Sequence, residues 1–298
     1  MGVELWRSDG TDEGTVLVKE THAGADSYIS SDLVDVNGMI FFITYSPGSG
    51  YELWQSDGTE GGTVLIKGGF GWSSVDPKIA VDGVLFFRAG SALWRSDGTE
   101  AGTTLIRDGI LAPEFGFTAC GGSFAVVNGV LVFPGRDENG CELWRSDGVT
   151  AELLMDINPG PASSMRLNLT SPFTEASGLV LFAADDGVHG MELWATDGTS
   201  TTRMTKVFPG AGGSGARSFI RFGPQVFFTA FEPDSGGELW ALSLSDPHQG
   251  LNLAETRANL DAPDQSRSRW PTSMGELRAF PPLKGDPRAR VASEREKP

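Results

Sequence analysis

Five aspartates, Asp9, Asp57, Asp97, Asp147 and Asp197, each stand directly before a glycine, in the segments SDGT, SDGT, SDGT, SDGV and TDGT. A carboxylate in that place can accept backbone N–H bonds and hold a bend, or it can offer oxygen ligands to calcium from a glycine-rich loop. The spacing favours the bend, because no DxDxDG loop with a downstream glutamate occurs. Five glutamates, Glu4, Glu52, Glu142, Glu192 and Glu238, precede a Leu-Trp pair in the same regular way, and Ala92 takes that place in one copy. In a ring of copies these carboxylates would crown one end. The break at Ala92 points to local pairing or solvation rather than to a mechanism that needs a complete ring.

Other chemistry-bearing residues are scattered. Asp185-Asp186-Gly187 with His189, and Asp137-Glu138-Asn139, cluster acidic groups in loops. Asp185 and Asp186 are the candidates for a cation site, with a solvated acidic loop as the competing reading. Cys120 and Cys141 are the only cysteines and lack CxxC spacing, so they form either a disulfide in an exported protein or two free thiols. The three histidines, His22, His189 and His248, show no zinc-ligand spacing and no accompanying GxSxG. Residues 210–215 match GxGxxG by letter, but the next segment reads as a strand, whereas a dinucleotide fingerprint must open a helix. No catalytic residue and no cofactor is assigned, and calcium is the one ion considered.

The elements that must position these residues are set by a repeat. Trp6, Trp54, Trp94, Trp144, Trp194 and Trp240 anchor six copies of one phrase, among them VELWRSDGTDEGTVLVKE, YELWQSDGTEGGTVLIKG and SALWRSDGTEAGTTLIRD. Their spacings of 48, 40, 50, 50 and 46 residues fall in the range of solenoids and propellers. Burying an indole contributes about 5 kcal/mol before entropic costs, so each Trp is expected to pin its unit, with sugar stacking as the rival role. Between anchors the plan is constant, as in 79–108, where strands are expected near Ile79–Val81, Val84–Arg88, Ala92–Ser96 and Thr103–Arg107. The first hairpin turn recurs as Asn37-Gly38, Asp82-Gly83, Asn128-Gly129 and Ser177-Gly178. The second strands, MIFFIT, VLFFRA, VLVFPG, LVLFAA and QVFFTA, are nearly continuous apolar runs, as suits a strand covered on both faces. Four strands per repeat predict an all-β fold, a β-propeller of about five four-stranded antiparallel blades in a ring that is complete or truncated.

The phrase resembles the bacterial ELWxxDGT-repeat proteins through all six copies, from Gly2 to about Ser245. That resemblance implies a propeller-like, surface-exposed or secreted protein, and brings no catalytic residues with it. The turn is also similar to the Asp-box of sialidase-type propellers, between third and fourth strands, although the order SDGTxxGT differs. A hydrolase of that kind would want a tyrosine nucleophile backed by an acid and an arginine cluster; the tyrosines are Tyr28, Tyr45 and Tyr51, and Arg7, Arg95 and Arg145 share their repeat position with Gln55 and Ala195.

The repeat domain is expected to span 1–246. Residues 247–298, rich in proline and mixed charge, read as a disordered tail. Thr15–Lys19 could pair with Gly237–Leu244 to close a five-bladed ring, leaving Glu4–Arg7 surplus, so the chain is expected to begin partway through a longer array with any export signal upstream. The net charge of −16 argues against nucleic acid and anionic membrane surfaces as partners, and no apolar run is long enough for a membrane span. The expectation is a binding or scaffold module that meets a protein or a glycan. Its alternatives are a glycan-processing hydrolase or lyase and a calcium-stabilised spacer.

Overall fold

A computed structural model of the chain describes residues 3–22, 28–29, 33–70, 75–111, 120, 123–165, 173–204, 212–223, 225–232, 236–243 and 277–279. A two-stranded unit, β1 (Leu5–Arg7) and β2 (Val16–Lys19), comes first. The first full sheet holds β3 (Tyr28–Ile29), β4 (Val34–Val36), β5 (Met39–Ser46), β6 (Gly50–Ser56) and β7 (Val64–Lys67), with β3 and β4 sharing the first-strand place along β5. The second holds β8 (Val75–Val81), β9 (Val84–Ala89), β10 (Ala92–Ser96) and β11 (Thr104–Arg107). The third holds β12 (Ala125–Val127), β13 (Val130–Asp137), β14 (Gly140–Ser146) and β15 (Ala151–Met155). The fourth holds β16 (Thr174–Ala176), β17 (Leu179–Asp185), β18 (Met191–Thr196) and β19 (Thr201–Arg203). The fifth holds β20 (Arg217–Phe222), β21 (Gln225–Glu232), β22 (Gly236–Ser243) and β23 (Leu277–Ala279).

Every full sheet is antiparallel, and in the first four the first turn is built as the sequence requires. Asn37, Asp82, Asn128 and Ser177 lie at φ of 47–53°, each followed by a glycine also at positive φ. Two consecutive left-handed residues give the primed turn whose twist suits adjoining strands.

Why the second strands are apolar throughout is visible in the packing. Successive side chains of a strand point to opposite faces. Phe42 of β5 meets Leu5, Val18 and Trp54 on one side, while Phe41 and Ile43 meet Leu85 and Phe87 of the second sheet on the other. The same alternation carries Phe86 to Leu131 and Phe133, Val132 to Val180 and Phe182, and Leu181 to Val226 and Phe228. Sheets thus stack face to face in chain order, and first strands touch across neighbours, β4 with β8, β12 with β16 and β16 with β20. The fold is an all-β propeller of four-stranded antiparallel blades. Among the described residues no helix is long and apolar enough to cross a membrane.

Three expectations are corrected. The repeat domain does not stop at 246: Leu277–Ala279 supplies the fourth strand of the fifth blade, with Trp240 opposite Ala279. The rest of 247–298 lies outside the described residues, His248 included. Consequently β22 takes β23 as its outer partner, and Thr15–Lys19 pairs with β1 instead of closing a ring on Gly237–Leu244. Finally, Trp6 is 55% exposed, whereas Trp54, Trp144 and Trp194 are buried and Trp94 and Trp240 partly so. Each buried indole faces the preceding sheet and lies opposite a phenylalanine of its own second strand. Trp6 has neither neighbour among the described residues.

Candidate functional site

The five turn aspartates are positioned by the hairpin between third and fourth strands. In the longer form Asp57 Oδ1 accepts from the Thr59 N–H at 2.8 Å and the Thr59 hydroxyl at 2.7 Å, and that hydroxyl in turn receives the Gly62 N–H at 3.0 Å. Asp9 and Asp97 repeat this arrangement with Thr11 and Thr99. The carboxylate lies flush on the second glycine of the motif, so a Cβ at Gly14, Gly62 or Gly102 would overlap Asp9, Asp57 or Asp97. In the shorter form Asp147 Oδ1 accepts from Val149 and Thr150 N–H, and Asp197 Oδ1 from Thr199 and Ser200 N–H. The threonine hydroxyl first, and then the same residue's N–H, hold Asp9, Asp57 and Asp97 below the usual carboxylate range. For Asp147 the Thr150 N–H leads and the Val149 N–H follows.

Four of the five glutamates before Leu-Trp turn inward, while Glu238 is only partly buried. Glu4, Glu52, Glu142 and Glu192 are all buried, and each is paired locally. Glu142 Oε2 accepts from Ile157 N–H at 2.8 Å, and its Oε1 accepts from Ser164 N–H at 2.8 Å. Glu192 takes the Ser214 N–H and hydroxyl, and Glu4 the Thr21 N–H and hydroxyl. Glu52 lies 2.9 Å from His22 Nε2 and receives the Trp54 indole N–H at 3.2 Å. These carboxylates hold the chain as it leaves one blade for the next. The connector then bridges the two blades through its backbone: Ser164 N–H donates to Cys141 O, and Asp185 N–H to Ser164 O. Gly215 N–H to Met191 O with Phe231 N–H to Ser214 O does the same one blade later, as does Leu111 N–H to Ser91 O with Arg136 N–H to Ile110 O one blade earlier. Burial is the main influence on Glu142 and raises its pKa, against the opposing hydrogen bonds from Ser164, Ile157 and Asn158.

This latch was not legible beforehand in its full form. Its signal was a hydroxyl residue 22 positions beyond the glutamate, Ser164 for Glu142 and Ser214 for Glu192. The variable arginine position also acts between blades: Arg95 donates to Gly148 O and Arg145 to Gly198 O, each at 3.2 Å, reaching the turn glycine of the following blade. Arg107 and Lys19 similarly donate to Ala151 O and Thr63 O.

Asp185 ends β17 and Asp186 opens the loop that follows, with separate duties. Asp185 Oδ1 accepts the Gly187 N–H, while Asp186 accepts from Val188 and His189 N–H, contacts His189 Nδ1 at 2.8 Å and lies 3.4 Å from Arg203 Nη1. Burial works hardest on Asp186 and opposes its ionisation, yet the His189 and Val188 bonds with the nearby imidazole together hold its pKa low. Among the described residues no three His, Cys, Asp or Glu side chains gather as a metal site. Asp137 caps its own loop through Asn139 N–H. Cys120 and Cys141 are joined by a disulfide that ties the segment before β12 to the start of β14. Tyr28, Tyr45 and Tyr51, cross-strand neighbours on β3, β5 and β6, form a ladder with ring centroids 5.2 and 5.0 Å apart.

One site stands apart from this structural use. Where the second blade carries Ala92 in place of glutamate, a cleft of about 330 Å³ opens between the end of the first blade and β10. Lys67, Phe70, Ser91, Trp94, Leu105 and Asp108 line it together with three glycines. Trp94 stacks on Phe87, and Phe70 meets both rings edge-on. Ser91 donates to Asp108 at 3.2 Å, and Asp108 and Leu105 are exposed.

No family model matches the chain, and no curated protein matches it. Among solved structures it is similar to TolB from Acinetobacter baumannii at 14% identity and a TM-score of 0.37, over 73% of this chain and 52% of that one. It is similar to a puromycin hydrolase at 15% identity and a TM-score of 0.43, over 78% and 38%. It is also similar to the β-propeller domain of the Trilobed protease from Pyrococcus furiosus at 13% and 0.39, over 79% and 76%. The chain thus spans about half the length of the TolB chain. At these identities the likeness concerns the type of fold alone.

Proposed function

We propose that this chain is a non-catalytic binding or scaffold module of a bacterial surface or secreted protein, presenting propeller loops and the Ala92 cleft to a glycan or a protein. One observation carries the reading. The recurring acidic side chains of the motif, the aspartate in five copies and the buried glutamate in four, are engaged in holding turns and neighbouring blades, as with Asp57 on Thr59 and Glu142 on Ser164. A carboxylate whose lone pairs are taken by N–H and hydroxyl donors of its own turn or connector is poorly placed to move a proton in a reaction. The disulfide supports export to an oxidising compartment. Since propellers host enzymes and binders alike, the site and not the fold must decide.

The deciding experiment pairs two assays on the full chain. Incubation with a panel of polysaccharides and chromogenic glycosides should give no release above buffer. A glycan array and a surface-protein pull-down should in parallel give reproducible, saturable retention. Steady turnover that scales with protein concentration and survives repurification would replace the binder with a glycan-processing enzyme.

A further inference from the structure

The cleft beside Trp94 has the make-up of a small-ligand site and not of a blade seam. At the equivalent place in the first blade Glu52 lies against Gly68, in the third Glu142 takes three backbone N–H groups, and in the fourth Glu192 takes Ser214. Ala92 removes that side chain, and the second blade fastens its connector by apolar contact instead, with Ile110 and Leu111 both buried. What the missing carboxylate leaves is open space walled by Gly68, Gly69 and Gly90, with Trp94 and Phe70 as its aromatic surfaces. The Trp54 and Trp194 indole N–H groups donate to Glu52 and to the Ala184 carbonyl. The Trp94 indole, like those of Trp144 and Trp240, has no such partner among the described residues, and unlike Trp144 it is only partly buried and lines a cleft.

We infer that this cleft binds a neutral pyranoside, one sugar ring or two. The inference rests on the binding reading above and names its ligand class. Three features select a sugar. The volume of about 330 Å³ lies at the small end of ligand pockets, the size of one or two rings. Trp94 and Phe70 supply flat apolar faces for the C–H side of a ring. Lys67, Asp108 and Ser91 supply a cation, an anion and a hydroxyl around the same space, so a ligand that both donates and accepts is matched by all of them. A ligand with one sign of charge would gain an opposite partner at one of Lys67 and Asp108 and meet a like charge at the other, whereas a hydroxyl-bearing ring bonds both.

Titration of the ¹⁵N-labelled full chain tests this, with the Trp94 indole N–H signal assigned through Trp94→Phe. The probes are methyl β-glucopyranoside, methyl β-galactopyranoside, N-acetylglucosamine, maltose and cellobiose, with glucuronate as the charged comparison. We expect at least one neutral sugar to shift that signal saturably, and glucuronate to shift it less. Ala92→Glu, which restores the residue of the other copies, should abolish the shift while keeping a folded spectrum. Asp108→Ala, at an exposed position, should weaken binding about tenfold or more, the loss expected for one hydrogen bond to a charged group. No response of Trp94 to any sugar, or undiminished binding by Ala92→Glu, overturns the inference. Sugar binding reported only by other tryptophans overturns it too, yet leaves the binding module standing, whereas glycoside turnover would remove the module and spare the cleft.

Discussion

At the residue scale the repeat motif divides into side chains that are equivalent in sequence and unequal in surroundings. Six tryptophans share one phrase, but an indole stabilises only what packs against it. Trp144 is 1% exposed, lies opposite Phe133 across the ladder and carries the Arg107 guanidinium 4.8 Å above its ring, whereas Trp6 is 55% exposed. Trp144→Ala is therefore expected to cost about 3–5 kcal/mol, the penalty of emptying a large core site. Trp6→Ala should stay within about 0.5 kcal/mol, as for ordinary surface positions. Urea unfolding of the two variants checks this directly, with the midpoint moving for Trp144→Ala alone. Equal losses at both sites would show that Trp6 is covered by something absent from the described packing. The aspartates teach the converse lesson. Their role in the turn follows from type and position because the bond they make is local, two residues along the chain.

At the scale of the elements, junctions between blades are held by a buried carboxylate, at Glu4, Glu52, Glu142 and Glu192, and by connectors whose backbone bonds both neighbours. Glu192 is 1% exposed, and both its oxygens are bonded to Ser214, which is itself fully buried. Removing the acceptor leaves that N–H without a partner and the hydroxyl with only its longer bond to Met191 O at 3.4 Å, and a buried unsatisfied donor costs about 1–3 kcal/mol. Glu192→Ala should thus lower stability by that amount and speed hydrogen exchange at Ser214, Gly215 and Phe231, with little change in the third blade. The prediction fails if exchange rises evenly along the chain, which would mean that the blades unfold together and the latch is not a separate unit. Such junctions explain what the sequence could and could not tell. Strand existence, turn type and blade order were legible because period-two apolar runs and Asn-Gly or Asp-Gly turns act within a few residues. The latch was hidden because its partners lie 22 residues downstream in a segment without pattern. The bulge between the leucine and tryptophan of the motif, at Leu53/Trp54, Leu93/Trp94 and Leu143/Trp144, left no letter behind either. The cleft was half legible, since the break at Ala92 was plain while the space it opens depends on the neighbouring blade. The fourth strand of the fifth blade was missed because Leu277–Ala279 comes from a stretch whose composition argues against a core; three residues added to a preformed edge need only ladder bonds.

For the whole molecule, acidity and buried carboxylates combine into a pH profile with a definite shape. The chain carries −16 at neutral pH, so the folded state compresses like charges, and acidification relieves that strain. Glu142 adds to it with the same sign. Its folded pKa is raised above the ordinary value of 4.5, so between 4.5 and that raised value the folded state binds more protons than the unfolded, and stability falls as pH rises through the window. Asp9, Asp57, Asp97, Asp147 and Asp186 act oppositely and lower down. Their folded pKa values lie below 3.8, so the unfolded chain takes up protons first, and the stability they contribute is lost as pH drops beneath 3.8. Thermal unfolding should therefore show Tm rising as pH falls from neutral toward 4.5 and then dropping below 3.8, a maximum displaced to the acid side. Salt separates the two contributions to the rise. Exposed charges are screened within about 10 Å at 0.1 M, while a carboxylate enclosed by Ile157, Asn158 and Ser164 is screened far less. The slope that survives high salt belongs to the buried group and should disappear in Glu142→Gln, whatever that substitution does to Tm itself. A Tm that declines steadily from neutral pH downward would mean that Glu142 is as well solvated as a surface carboxylate, and the latch would then be no more than a contact at the rim.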